Sequence, residues 1–193
     1  MRTRTKKLNT YAFIDSQNLN LGTQRMGWKL DWRKFRQFLE DKYGVTQAYM
    51  FIGYMSENES LYEYMHELGF LVVLKPTVDV SQSQSHHDAT HQAENNNKPK
   101  DPEEKEKSIV KGNIDADLVL YTMKELANYD QAIIVSGDGD FFSLAEYLEQ
   151  QGKLAHILTP NWQYSSLLKV FEPKIVRLDQ LRRQLAYHDR KKK

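Results

Sequence analysis

Apolar runs that alternate with amphipathic segments constrain the fold of this chain more than any other feature. Short, β-prone runs at 11–14, 48–55 and 70–74 are separated by segments with helical spacing at 31–43 and 58–68. Strands that alternate with helices indicate a parallel sheet with helices packed on both faces. The sequence therefore predicts a three-layer α/β domain with a central, mostly parallel sheet of about five or six strands.

The same alternation returns later in the chain, after a polar break. We expect further helices at 114–127, 141–151 and 164–170, and strands at 132–135, 155–158 and 175–176. The break at about 77–107 is rich in Ser, Gln, His and Asn and then in Lys and Glu, which predicts a flexible insertion within the domain. The expected organisation is a basic N-terminal tail (1–9), one domain (10–178) and a basic C-terminal helix or tail (179–193).

Composition excludes several classes of site. The 193 residues include no cysteine, which excludes disulfide frameworks, thiolate nucleophiles and cysteine-based metal centres. Lys and Arg total 27 against 26 Asp and Glu, so nucleic-acid contacts would need a local basic patch. No stretch approaches the roughly 18 apolar residues of a membrane helix, and the basic N-terminus runs directly into a strand, unlike a signal peptide. We expect a cytoplasmic protein with no membrane partner.

Acidic residues follow two of the predicted strands. Asp15 ends the first strand, and Asp138 and Asp140 come directly after the fourth. Asp115 and Asp117 open the helix that leads into the fourth strand. Loops after parallel strands emerge at one edge of the sheet, and ligands bind there at the point where the strand order reverses. If strands one and four are neighbours, these carboxylates converge on one crevice.

Carboxylates that converge need a counter-charge, because two of them about 4 Å apart repel by about 4 kcal/mol at an effective dielectric near 20. Mg²⁺ or Mn²⁺ suits a site made only of carboxylates. Each acid also has a purely structural interpretation. Asp115 and Asp117 suit the positive end of a helix, Asp138 or Asp140 could be a helix N-cap, and Asp15 a turn residue. Residues two apart on a helix point in different directions, and Asp115 is the first choice of that pair.

Three blocks in the chain resemble one known family. The blocks are FIDSQNL at 13–19, KGNIDADL at 111–118 and IVSGDGDF at 134–141. Together, and in this order, they resemble the LabA-like branch of the NYN-domain family, which is related to the PIN-domain nucleases. The resemblance spans about 10–178. It implies a PIN-like, Rossmann-like α/β fold and a Mg²⁺- or Mn²⁺-dependent nuclease that acts chiefly on RNA.

The resemblance also implies roles for particular residues. The family's acidic metal-site positions are matched by Asp15, Asp115, Asp138 and Asp140, with Asp117 as a further ligand candidate. Polar residues of the same blocks, Asn18, Lys111 and Ser136, are candidates for contact with the substrate. Further basic and aromatic candidates for holding a nucleic acid are Arg25, Trp28, Lys29, Arg33, Lys34, Trp162 and Tyr164.

The sequence thus predicts a metal-dependent ribonuclease, in which one or two Mg²⁺ or Mn²⁺ ions held by clustered Asp residues activate water to hydrolyse RNA. The alternative is a nucleic-acid-binding regulatory module with the same fold and little or no turnover, because an intact acidic set does not demonstrate activity. A phosphatase of the doubly wound class would need an acid at position 17, where Gln17 stands. RNA is the expected partner, and single-stranded DNA and a homodimer are left open.

Overall fold

The computed structural model of the protein describes residues 8–75 and 114–188. The predicted insertion at 77–107 lies outside these ranges, as does Lys111. Within them, six strands form one sheet in the order β3-β2-β1-β4-β5-β6, and every neighbouring pair is parallel. The strands are β1 (Thr10–Asp15), β2 (Val45–Gly53), β3 (Leu71–Lys75), β4 (Gln131–Val135), β5 (Leu154–Thr159) and β6 (Ile175–Arg177). The predicted parallel α/β architecture is confirmed.

Helices connect the strands. They are α1 (Ser16–Arg25), α2 (Trp32–Tyr43), α3 (Glu59–Glu67), α4 (Ile114–Lys124), α5 (Phe142–Gln150) and α6 (Arg182–Leu185). Short 3₁₀ segments lie at Ser56–Asn58, Gly139–Phe141, Ser166–Lys174 and Leu178–Leu181. None of the helices that the structure describes is long and apolar enough to cross a membrane.

Two apolar clusters cover the two faces of the sheet, as the three-layer prediction requires. Successive residues of a strand point to opposite faces, so Ala12 and Ile14 of β1 lie in one cluster and Phe13 in the other. The first cluster receives side chains of α1, α2, α3 and α6, and the second receives those of α4 and α5. Both faces of the central strands are therefore buried from solvent, which explains why the sequences of these strands are continuously apolar.

Local signals define α2 as the sequence predicted. The side chain of Asp31 accepts a hydrogen bond from the backbone N–H of Lys34 at 3.2 Å and so caps the first turn. Gly44 ends the helix in the left-handed conformation, with φ at 65°.

Three elements differ from the sequence-based expectation. Helix α1 was not predicted, because its residues SQNLNLGTQR show no clear apolar periodicity. The expected helix at 164–170 is a kinked 3₁₀ segment that contains Pro173. The C-terminal helix has only four residues, because Ala186 turns extended and pairs with Leu30 in an isolated antiparallel bridge.

The sheet order places the strand-order reversal between β1 and β4. From β1 the chain continues outward to β2 and β3, and from β4 it continues in the opposite direction to β5 and β6. Because these two strands are parallel neighbours, the loops that follow them emerge side by side. This arrangement leaves a crevice at the carboxyl edge of the sheet.

Candidate functional site

A crevice of about 460 Å³ lies at this edge, between α1, the start of α4 and the loops after β4 and β5. It is lined by Asp15, Gln17, Asn18, Leu21, Gly22, Arg25, Ile114, Asp115, Gly137, Pro160, Asn161, Gln163 and Tyr164. Four separate segments of the chain contribute these residues, namely the end of β1 with α1, the start of α4, the loop after β4 and the loop after β5. The crevice therefore has the position expected of a ligand site in an open parallel sheet.

Asp15 is the most buried acid of the crevice, with 5% of its surface exposed. Its Oδ1 accepts a hydrogen bond from the backbone N–H of Asn18 at 3.0 Å, and its Oδ2 accepts one from the Ser136 hydroxyl at 3.2 Å. Burial raises the pKa of Asp15 above its ordinary value of 3.8, and the nearby charges of Asp115 and Asp138 add to the increase, while both hydrogen bonds oppose it. Asp15 is thus a desolvated carboxylate within the field of two others.

Asn18 and Ser136 join the loops after β1 and β4. The Asn18 side-chain oxygen accepts a hydrogen bond from the backbone N–H of Gly137 at 2.9 Å. The backbone N–H of Asp138 donates to the Ser136 hydroxyl oxygen at 3.1 Å, and that hydroxyl donates to Asp15. A continuous set of hydrogen bonds therefore fixes the position of Asp15 relative to Asp138.

Asp138 and Asp140 differ in their surroundings. Asp138 is partly buried, and its Oδ1 accepts a hydrogen bond from the backbone N–H of Asp140 at 3.1 Å, capping the 3₁₀ segment that follows. Asp140 is exposed. The glycine between them permits a close approach, because a Cβ at Gly139 would lie 2.4 Å from the Ser165 Oγ. The capping interpretation of Asp138 is therefore correct, and the same residue also acts electrostatically on Asp15.

The two acids of α4 have separate environments. Asp115 lines the crevice, and its charge raises the pKa of Asp15. Asp117 forms an ion pair with Lys75 at the end of β3, with 3.3 Å between Nζ and Oδ2. The structure therefore brings Asp115 to the crevice and gives Asp117 a different partner.

Of the basic residues Arg25, Arg33 and Lys34, only Arg25 is among the described residues that line the crevice. Arg25 lines the crevice, whereas Arg33 lines a separate surface depression between α2 and the end of α3. The Lys34 ammonium donates to the carbonyl oxygen of Ala186 at 2.7 Å and lies 3.8 Å from the Asp31 carboxylate. Neither Arg33 nor Lys34 is among the described residues that line the crevice.

The aromatic candidates also separate. Tyr164 lines the crevice. Trp28 is buried within the apolar cluster that contains α1 and α2, and it is not among the described residues that line the crevice. Trp162 is 58% exposed, between two residues that line the crevice.

Several residues that line the crevice were not candidates in the sequence analysis, among them Gly22, Pro160 and Asn161. The Asn161 amide nitrogen donates to the carbonyl oxygen of Gly22 at 2.8 Å, and its side-chain oxygen accepts from the backbone N–H of Gln163 at 2.7 Å. A Cβ at Gly22 would lie 2.4 Å from the Cβ of Pro160. Asn161 and Pro160 could have been found by applying the strand-end rule to β5, but Gly22 could not, because α1 was not predicted.

The donor types at the crevice fit Mg²⁺ or Mn²⁺. These ions prefer oxygen ligands. A bound cation would offset the burial of the Asp15 charge and its repulsion by Asp115 and Asp138, which together raise the pKa of Asp15. Across residues 8–75 and 114–188, however, no three acidic or histidine side chains are grouped closely enough to hold a metal ion. The case for a divalent cation therefore rests on the oxygen donors at the crevice and on the electrostatic effect of Asp115 and Asp138 on Asp15.

Comparison with known proteins identifies the family. Residues 9–176 match the family model of the NYN domain. This chain belongs to the NYN domain family. NYN and PIN-like proteins are generally nucleases that act on nucleic acids and typically use divalent metal ions.

Individual relatives agree with this assignment. This NYN-domain chain is 27% identical over 150 residues to the Low amplitude and bright protein LabA of Synechococcus elongatus (strain ATCC 33912 / PCC 7942 / FACHB-805), covering 75% of this chain and 69% of that protein. The crystal structure of a protein of unknown function from Vibrio parahaemolyticus RIMD 2210633 matches with a TM-score of 0.67 and 19% identity. That match covers 95% of this chain and 98% of the other, and it supports the fold.

Proposed function

We propose that this NYN-domain protein is a metal-dependent ribonuclease that hydrolyses RNA phosphodiester bonds in the crevice at the carboxyl edge of its sheet. The observation that carries the proposal is the environment of Asp15, which is buried at the end of β1 and within the field of Asp115 and Asp138. A carboxylate in a crevice whose pKa is raised by burial, and further by neighbouring like charges, is typical of a functional site.

Asp15, Asp115 and Asp138 are the residues that would hold Mg²⁺ or Mn²⁺. Asp140, exposed beside Asp138, is the fourth acid of the proposed set, and Asp117, which forms an ion pair with Lys75, is the last choice as a ligand. When bound, one or two such cations supply an activated water, neutralise charge on the phosphate and stabilise the leaving oxygen.

The chain's own residues keep the carboxylates in place. Ser136 donates to Asp15 and accepts from the backbone of Asp138, so one hydroxyl joins the two acids. Asn18 joins the same two loops through the backbone of Gly137. We assign Asn18 and Ser136 to positioning of the acids, and the crevice face of Asn18 also remains available to the substrate. These hydrogen bonds hold the loops after β1 and β4 in a fixed relative position before a phosphodiester binds.

Cleavage of labelled RNA tests the proposal. Single-stranded RNA and matched single-stranded DNA are incubated with wild type, Asp15→Asn or Asp138→Asn protein in Mn²⁺, Mg²⁺ or EDTA. Changes to outer partners of metal ligands typically cost about 10–100-fold, so we expect each of these variants to lose more than about a hundredfold in rate. Asp41→Asn is the matched control, because Asp41 is exposed on α2, accepts a hydrogen bond from the Gln37 amide nitrogen and does not line the crevice.

The outcomes separate the two candidate functions. Metal-dependent cleavage that is lost in both crevice variants and kept in Asp41→Asn supports the ribonuclease. Equal cleavage by Asp138→Asn and wild type contradicts the site. RNA binding by wild type without cleavage in either metal supports the nucleic-acid-binding regulatory module instead.

A further inference from the structure

One wall of the crevice is a single face of α1. Asn18, Leu21, Gly22 and Arg25 follow one another at the i, i+3, i+4 and i+7 spacing that shares a helix face, and all four line the crevice. The acids lie at the start of this face, because Asp15 caps the helix. The crevice therefore runs along α1 from a carboxylate end to Arg25.

The length of this wall can be compared with a nucleic-acid strand. Seven residues separate Asn18 from Arg25, which corresponds to about 10 Å at about 1.5 Å per residue. A stacked strand advances about 3.4 Å per nucleotide. The face of α1 thus spans about three nucleotides.

The opposite wall is attached to α1 at the middle of this face. The Asn161 amide donates to the Gly22 carbonyl oxygen, and the absence of a side chain at Gly22 lets the ring of Pro160 pack directly against the helix. The loop after β5 is therefore fixed to α1 between its two ends. The spacing between Asp15 and Arg25 is set by α1 itself, because the two residues stand at its two ends.

Arg25 is available for a ligand. Its side chain is exposed, and it forms no ion pair or side-chain hydrogen bond with another residue in the part of the chain that the structure describes. It is also the one basic residue among the described residues that line the crevice. A guanidinium group presents several N–H donors in a planar fork that matches two phosphate oxygens.

We propose that Arg25 binds a phosphate of a single RNA strand about three nucleotides away from the phosphate at the carboxylate end. This inference rests on the proposed ribonuclease function and extends it to the substrate. The crevice then requires a strand long enough to reach from the acids to Arg25, and shorter strands do not benefit from this contact.

Kinetics on strands of increasing length test this contact. Wild type, Arg25→Gln, Arg25→Lys and Arg33→Gln proteins cleave RNA strands of two to eight nucleotides in Mn²⁺. For strands long enough to reach residue 25, we expect Arg25→Gln to raise KM about tenfold and to leave kcat unchanged. A change of this size is typical for the loss of a charged hydrogen bond. For shorter strands, the KM of Arg25→Gln should equal that of wild type. For the longer strands, the KM of Arg25→Lys should lie between the values for Arg25→Gln and wild type. Arg33→Gln is the matched control, because Arg33 is also an exposed helix arginine but lines a different depression.

A binding measurement in the cleavage-deficient Asp138→Asn background gives an independent readout. The affinity for a fluorescent eight-nucleotide RNA is followed by anisotropy as the salt concentration rises. Each phosphate contact to a single strand contributes about 0.7 to the slope of log K against log salt. Arg25→Gln should reduce that slope by about 0.7, and Arg33→Gln should leave it unchanged.

The two proposals fail in different ways. If RNA is cleaved, and the KM of Arg25→Gln equals that of Arg33→Gln for every strand length, the Arg25 contact is refuted and the ribonuclease proposal stands. A KM that rises equally for all lengths in Arg25→Gln also refutes it, because that result indicates a structural role. If wild type neither cleaves nor binds RNA, the ribonuclease proposal fails, and the Arg25 contact fails with it.

Discussion

At the end of β1, Asp15 performs a structural and a proposed chemical task with the same carboxylate. One oxygen caps α1 and the other accepts the Ser136 hydroxyl. These two hydrogen bonds lower the pKa of Asp15, but burial and two neighbouring carboxylates raise it more. The folded chain therefore keeps an acid in an unfavourable environment, which is common where function and stability compete.

His156 supplies a prediction of pH-dependent stability. The partly buried imidazole of this β5 residue lies 4.8 Å from the ring of Tyr43, and burial lowers its pKa below the ordinary value of 6.5, as do the charges of Lys42 and Lys174. The unfolded chain therefore binds a proton more readily than the folded chain does. The contribution of His156 to stability is therefore complete when the pH is above the pKa of the unfolded chain. It is lost as the pH falls from that pKa to the lower pKa of the folded chain.

The comparison is thermal unfolding of wild type and His156→Asn between pH 8 and pH 5.5. Asparagine retains a donor near the position of Nδ1, which lies 3.3 Å from the carbonyl oxygen of Lys174. We expect the Tm of wild type to fall more steeply than that of His156→Asn below pH 7. Parallel curves would show that His156 does not titrate with folding.

At the scale of elements, α1 is formed by its contacts rather than by its sequence. Its polar residues give it no strong apolar stripe, and Gly22 in its interior disfavours helix by about 1 kcal/mol relative to alanine. Two contacts compensate, one local and one in the core. Asp15 caps its first turn, and Leu19 is fully buried in the core.

The packing of α1 on the loop after β5 predicts the effect of Gly22→Ala. Alanine would gain about 1 kcal/mol in helix propensity, but its methyl group would lie 2.4 Å from the Cβ of Pro160. Overpacking of this kind typically costs about 1–3 kcal/mol. We expect a net loss in the free energy of unfolding, measured by urea denaturation, together with weaker RNA binding. Gln24→Ala, at an exposed position of the same helix, is the control, and a Gly22→Ala protein at least as stable as Gln24→Ala would refute the packing argument.

Elements with complete local signals were predicted accurately, and elements without them were not. For α2, the cap at Asp31 and the left-handed Gly44 are both readable from the sequence. For α6, the basic sequence suggested a longer helix, but the backbone leaves the helix at Ala186 to pair with Leu30. A partner 156 positions earlier in the chain cannot be inferred from local propensity.

On the scale of the whole molecule, the C-terminal segment returns to the first third of the chain. The backbone N–H of Asp31 donates to the carbonyl oxygen of Leu185 at 2.9 Å, and the backbone N–H of Tyr187 donates to that of Lys29 at 2.8 Å. The Leu185 side chain is fully buried in the cluster that contains α1 and α2. This segment therefore stabilises the connection between α1, which forms one wall of the crevice, and α2.

Leu185→Ala tests this long-range contact. Truncation of a buried leucine costs about 2–5 kcal/mol, and we expect a loss in that range in urea denaturation. Leu167→Ala is the control, because Leu167 is 55% exposed and should change stability by less than about 0.5 kcal/mol. Equal stability of the two variants would show that the C-terminal segment contributes little to the fold.

The sequence by itself determined the parallel α/β class, the approximate positions of all six strands and the NYN family. Apolar runs, caps and strand-end acids are local features, and their physical meaning does not depend on distant residues. The tertiary structure decided which candidates share a crevice. Asp115 and Arg25 line the crevice, whereas Asp117 forms an ion pair with Lys75 and Arg33 lines another depression. These placements depend on strand order and on the packing of α1 against the loop after β5, and such contacts between distant segments form only when the chain is folded.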